Sequence, residues 1–162
     1  PFSSSTSTAR QTRYASARGG DSIFTPEAVV DGVVSLVGSR RSALEQVIGE
    51  RAARRGIPMR IRVAAGGTAA HVEIDAAPPR AADLVVAVTD SGLSTAVQAG
   101  ENAGETLRHG PVVRWLRSAG PAEAGAFDVP IDAPPAPGTR AVVAMVQARP
   151  QGEIFGAAVA TP

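Results

Sequence analysis

Cysteine is absent from these 162 residues, which excludes disulfides, thiolate metal sites and thiol catalysis within the chain. Lysine is absent too, so arginine supplies all 16 basic side chains, against 15 carboxylates. With no lysine, no cysteine and one tyrosine, the sequence holds few groups that titrate between about pH 8 and about pH 10. The isoelectric point falls on that flat stretch and implies no polyanion-binding surface. Histidine is limited to His71 and His109, too few for a His-based metal site, and neither a metal nor a cofactor is expected. Aromatics make up 4% of the chain although 44% is hydrophobic. The apolar share is mostly Ala and Val, which bury little area each, so a thin core is expected. No apolar run reaches the roughly 18 residues of a membrane span, and no membrane insertion is expected. The opening Pro1-Phe2-Ser3-Ser4-Ser5 has neither an initiator Met nor a basic-then-apolar start, as expected of a processed product or a fragment.

What is present is punctuation: 17 Gly and 13 Pro favour turns and short elements. Thr8 to Ala17 reads as a short helix stopped at Gly19-Gly20, with an apolar face too weak to stand without a partner surface. Val29-Val30 and Val33 to Val37 flank Asp31-Gly32, a strong hairpin signal. A helix follows, capped by Ser39 or by Ser42 in a capping box with Glu45, and stopped near Gly56. Its Leu44, Val47, Ile48 and Ala52 recur at helical spacing as one stripe expected to be buried.

From residue 57 the period changes from 3.6 to 2. Ile57, Met59, Ile61 and Val63 alternate with polar neighbours, as do Ala70, Val72 and Ile74 beyond Gly66-Gly67. Leu84 to Val88 is apolar on both faces and reads as a central strand ending in an Asp90-Ser91-Gly92 turn. Leu93 to Val97, Phe127 to Ile131, Ala141 to Val146 and Ile154 to Val159 complete about seven short strands, the last two joined at Arg149-Pro150-Gln151-Gly152. This pattern suits an antiparallel β-sandwich of immunoglobulin-like kind, without the Cys…Trp…Cys core of antibody domains. Trp115 is expected as a core anchor with Arg114 and Arg117 toward solvent; residues 111–118 fit either a strand or a short helix. The fold class is therefore α+β, divided into residues 1–56 and residues 57–162.

The order helix, X-Pro, strand, turn, strand, helix resembles the C-terminal half of a thioredoxin-like fold, with Thr25-Pro26 at its cis-proline position. A closer resemblance runs along the chain. Phe2-Ser3-Ser4, Thr8-Ala9-Arg10-Gln11, Tyr14-Ala15, Thr25-Pro26 and Val29-Val30-Asp31-Gly32 are similar to a bacterial domain-of-unknown-function family, number twelve twenty-three. So are Gly100-Glu101-Asn102-Ala103-Gly104, Thr106-Leu107, His109, Val112-Val113-Arg114, and the closing Val146-Gln147 and Ile154 to Ala158. The resemblance implies a periplasmic or secreted protein, a thioredoxin-like domain followed by a β-rich one, and no established activity. It also implies a strand and a Cys-x-x-Cys turn upstream of residue 1, so the chain is expected to be N-terminally truncated, with a signal peptide further upstream. Thiolate attacks disulfides, so this polypeptide alone is expected to be inactive in thiol–disulfide exchange. A missing half would leave the hairpin with an unpaired edge, the second helix half-covered, and residues 1–55 less stable than the rest.

Two readings of function stand at this point. The first is the C-terminal portion of a secreted thioredoxin-like protein whose intact parent performs thiol–disulfide chemistry, with Thr25 and Pro26 lining a cleft for an extended protein or peptide partner. The second is a non-enzymatic extracytoplasmic binding or scaffold module. Local sequence alone would make Thr25-Pro26 an ordinary turn before a strand. His109 reads as a general base or, more simply, as a structural hydrogen bond at a strand end. Asn102 lies in a glycine-rich stretch lacking the Gly-Lys-Ser/Thr of a phosphate loop, and a turn explains it. His71 belongs to a solvated face. Arg40, Arg41, Arg51, Arg54, Arg55, Arg60 and Arg62 lack interleaved aromatics and net charge, so no nucleic-acid partner is expected and a helix face paired with Glu45 and Glu50 explains them. Sequence assigns no oligomeric state.

Overall fold

A computed structural model of the chain describes residues 5–17, 19, 23–101, 103–135 and 138–162. Helix α1 spans Ser5–Ala17. The hairpin follows as β1, Glu27–Val30, and β2, Val34–Val37, paired antiparallel with Val30 opposite Val34. The loop is therefore three residues long, Asp31-Gly32-Val33, and Val33 belongs to the turn rather than to the strand. Asp31 and Gly32 both take positive φ, 49° and 74°, a conformation open to Gly and tolerated by Asp. The Thr25–Pro26 and Arg149–Pro150 peptide bonds are cis.

Helix α2, Arg41–Ala52, corrects two expectations. The capping box does not form, because the helix begins one residue before Ser42. Arg40 sits at the N-cap with no side-chain bond, and Arg41 pairs with Glu45 at 2.8 Å instead. Nor is the apolar stripe buried. Leu44 and Val47 are half-covered, and Ile48 is 49% exposed. Among the described residues, α2 lies over a sheet of only two strands, too narrow to cover a helix face.

Nine further strands form two main sheets and an arm. They are β3 Met59–Val63, β4 Ala69–Ile74, β5 Ala82–Ser91, β6 Ser94–Ala96, β7 Thr106–Arg108, β8 Val112–Pro121, β9 Gly125–Pro130, β10 Thr139–Ala148 and β11 Ile154–Ala160. One sheet has the order β3-β4-β9 and the other β11-β10-β5-β8, with every pairing antiparallel. Alternation does the folding here. Ala70, Val72, Ile74 and Val129 of the first sheet face Leu84, Val86, Val88, Val142, Ala144 and Val146 of the second in one buried cluster. Among the described residues β6 and β7 pair only with each other, and they form the arm. Residues 111–118 fall in or beside β8, and Trp115 packs partly buried against the core.

Two charged positions depart from expectation. β5 runs on through Asp90, which is fully buried rather than part of a turn. Arg140 donates to its carboxylate from Nε at 3.0 Å and from Nη2 at 3.3 Å. Arg114 does not simply face solvent: its side chain is 25% exposed and its Nε lies 3.7 Å from Asp90. Asp90 attracts both arginines because a carboxylate buried near the end of the interior strand β5 requires charged donors.

Residues before 57 rest on the outer face of the four-stranded sheet and on its β10–β11 turn. The Asp31 carbonyl accepts from the Ile154 amide at 2.8 Å, and the Phe155 carbonyl from the Ile57 amide at 2.6 Å. Arg51 spans the junction, donating to Asp31 at 2.7 Å and to Glu153 at 3.0 Å. Those two bonds, Asp31 first, raise the Arg51 pKa above its ordinary value, so the residue is charged at every accessible pH.

Candidate functional site

Period 2 puts Val142, Ala144 and Val146 of β10 into the core, so Val143, Met145 and Gln147 take the opposite face. That face carries α1, and polar groups hold it there. Gln147, 2% exposed, donates from Nε2 to the Gly152 carbonyl at 3.0 Å and to the Tyr14 hydroxyl at 2.9 Å. Its Oε1 accepts from Arg10 Nη2 at 2.6 Å. The Gly152 carbonyl can only accept, which fixes which end of the amide is nitrogen. Gln151 donates from Nε2 to the Arg10 backbone carbonyl at 2.6 Å. Gln151 itself is a non-glycine residue at φ 102°. Such a conformation costs about 1–3 kcal/mol and persists where surrounding contacts hold it.

Beside this junction lies a groove of about 940 Å3. Met145, Ala87, Leu116 and Val113 line it from the sheet, Arg10, Tyr14 and Thr6 from α1, and Thr25, Pro26 and Glu27 from the start of the hairpin. Thr25 and Pro26 are exposed. Among the described residues β1 pairs with β2 alone, so its other edge carries no strand. A second hollow of about 640 Å3 is bordered by Arg10, Arg13, Asp83, Ser118 and Arg149. Arg149 donates to Asp83, which closes part of that rim with a neutralised pair.

The predicted site residues separate in space. Thr25 and Pro26 join the groove. His109 does not: its Nε2 lies 2.9 Å from Thr95 Oγ1 and its amide donates to the Leu93 carbonyl at 2.9 Å, which ties β7 to β6. Both contacts lie at the end of β7, away from the groove. Asn102 lies outside the described residues. His71 is bonded through Nδ1 to Asp128 at 2.8 Å on the outer face of the three-stranded sheet. Beside it, Arg60 reaches Glu73 at 2.9 Å and Asp75 at 2.8 Å. Among the described residues, no three His, Cys, Asp or Glu side chains converge as metal ligands would, and no helix is long and apolar enough to cross a membrane. Sequence reading missed Arg10, Tyr14 and Gln147. Only the outward register of Gln147 hinted at them, since a polar side chain on an otherwise apolar strand face needs a partner.

A family model described as "Protein of unknown function (DUF1223)" matches residues 1–147. No curated protein matches the chain. Among solved structures it is similar to the crystal structure of protein AGR_C_4864 from Agrobacterium tumefaciens, at 19% identity and a TM-score of 0.73. That match covers 99% of this chain and 72% of the other, and it speaks to the fold alone.

Proposed function

This chain belongs to the DUF1223 family, and from that premise we propose that it is the non-catalytic, segment-binding portion of a periplasmic or secreted thioredoxin-like protein. In this reading residues 1–56 are the C-terminal half of a thioredoxin-like domain and residues 57–162 an immunoglobulin-like sandwich. The groove beside Thr25 and Pro26 takes an extended polypeptide segment, and the unpaired edge of β1 offers it main-chain hydrogen bonds. One observation carries the proposal. Exposed Thr25 and Pro26 line a groove with an apolar floor and polar rim, the usual make-up of a ligand site. Thiol–disulfide exchange belongs to an intact parent, because this polypeptide has no cysteine to supply the attacking thiolate.

Fluorescence anisotropy with labelled, unstructured peptides tests the groove. Thr25→Tyr fills it from an exposed position without touching the core, and at least tenfold weaker binding is expected. Equal binding by the two proteins would place the segment elsewhere. A second reading is a binding or scaffold module with no redox parent. It predicts that the residues encoded upstream contain no Cys-x-x-Cys pair.

A further inference from the structure

Four arginines among the described residues are half-buried: Arg10, Arg51, Arg114 and Arg140. Carboxylates account for three of them. Arg51 meets Asp31 and Glu153, Arg140 meets Asp90, and Arg114 lies beside the same Asp90. Arg10 has only neutral partners among the described residues. Its Nη2 donates to the Tyr14 hydroxyl at 3.0 Å and to Gln147 Oε1 at 2.6 Å. A guanidinium carries five N–H donors, and bonds to an ionised partner are roughly twice as strong as neutral ones. The Arg10 Nε and Nη1 donors bond to no described residue.

The count at Tyr14 points the same way. Its oxygen accepts from both Arg10 and Gln147, and a phenol oxygen has two lone pairs. Its own proton is thus left to a third partner. Gln147 cannot turn to supply an acceptor, because its amide nitrogen is held by the Gly152 carbonyl. Arg10 and Tyr14 therefore combine a charge and surplus donors on one wall of the groove. Glu27, also at the groove, already accepts from Ser35 Oγ at 2.6 Å. Two main-chain-spaced residues of one helix, at i and i+4, bring the donors together, and the buried amide of Gln147 holds them in place.

We propose that Arg10 and Tyr14 form a carboxylate-binding site, and that the segment taken by the groove carries a carboxylate there, on an acidic side chain or at its C-terminus. This rests on the groove reading above and names the chemistry the groove selects. Sodium acetate, titrated against sodium chloride at matched ionic strength, tests the site by itself. Saturable shifts of the Arg10 Nε–H and Gln147 side-chain amide resonances are expected in NMR spectra. They should weaken at least fivefold in Tyr14→Phe, which keeps the Arg10–Gln147 bond, and in Arg10→Lys, which keeps the charge but loses the fork. Unchanged core resonances, such as the Val86 and Val142 amides, verify that both variants are folded. No shift in the wild type, or equal shifts in both variants, overturns the site.

One groove-binding peptide, made in three versions, then identifies the source of the carboxylate. A version with an internal Asp and an amidated end binding tenfold tighter than its Asn counterpart assigns a side chain. A version with Asn and a C-terminal acid binding tighter assigns the terminus. If all three bind equally, the carboxylate proposal fails while the groove reading stands. If none binds, the groove reading fails, and the acetate titration still decides the site.

Discussion

The two parts of this molecule are held together by different kinds of force. Residues 57–162 bury a continuous apolar cluster between two sheets, with Leu84, Val86, Val88, Val142 and Val146 fully inaccessible. Among the described residues before 57, only Ala15 is buried. That part is organised by side-chain hydrogen bonds and ion pairs instead: Gln147 to Tyr14 and Arg10, Gln151 to the α1 backbone, and Arg51 to Asp31 and Glu153. A core of small residues still works when every strand contributes to it, because burial scales with area rather than with residue size. A hairpin and two helices cannot build such a core alone, so they depend on the sheet they lie on.

The contrast is sharpest in paired truncations. Leu84→Ala removes a fully buried side chain from the centre of β5 and should cost about 2–5 kcal/mol in urea unfolding. Leu44→Ala, on half-covered α2, should cost about 1 kcal/mol or less. Near-equal losses would mean that α2 belongs to the same core. Gly32→Ala comes next. Its φ is +74°, and an added Cβ would run into the Gly152 carbonyl, which is backbone and cannot step aside. A loss of more than about 1 kcal/mol is expected. Limited proteolysis of this variant should cut before residue 56 first. Simultaneous loss of the sandwich would refute the division.

Much of the sandwich was legible because period 2 is a local signal. Ile57 to Val63 and Ala70 to Ile74 alternate in the sequence, and they pair in the fold with Ile61 opposite Val72. The Asp31-Gly32 turn was legible for the same local reason. What escaped were partners distant along the chain. Nothing near Asp90 announces Arg140, 50 residues on, and a buried Asp looks in sequence like a turn former. Arg10 and Gln147 are separated by 137 residues, so the candidate site was legible only at Thr25 and Pro26. The α2 stripe misled because amphipathic spacing states what a helix can bury, not what covers it.

Gln147→Leu tests whether polar contacts hold α1. It removes the Gly152, Tyr14 and Arg10 bonds at once and leaves the Gly152 carbonyl without its donor, a loss of about 1–3 kcal/mol. Faster proteolysis within residues 5–17 should accompany it. Unchanged protection of α1 would mean that apolar contact suffices. Arg51→Met should cost somewhat less, about 1–2 kcal/mol, because Asp31 and Glu153 remain partly in water.

The smallest effect belongs to the solvent face of the sandwich, where ion pairs decorate rather than hold the structure. Glu73 accepts from Arg60 and Arg62, and these bonds, Arg60 first, lower its pKa below the ordinary 4.5. A carboxyl whose folded pKa is depressed binds its proton more weakly in the folded state than in the unfolded one. Its contribution is therefore complete above the unfolded value of 4.5 and disappears as pH falls through the folded value. Glu73→Gln should thus unfold slightly more easily than the wild type at pH 7 and equally easily once pH has passed well below 4.5. Added salt should narrow the pH 7 difference, since the pairs are exposed. A difference that persists in acid would show that Glu73 acts through packing in β4. The contrast between a polar junction before residue 57 and polar decoration after it would then lose one of its terms.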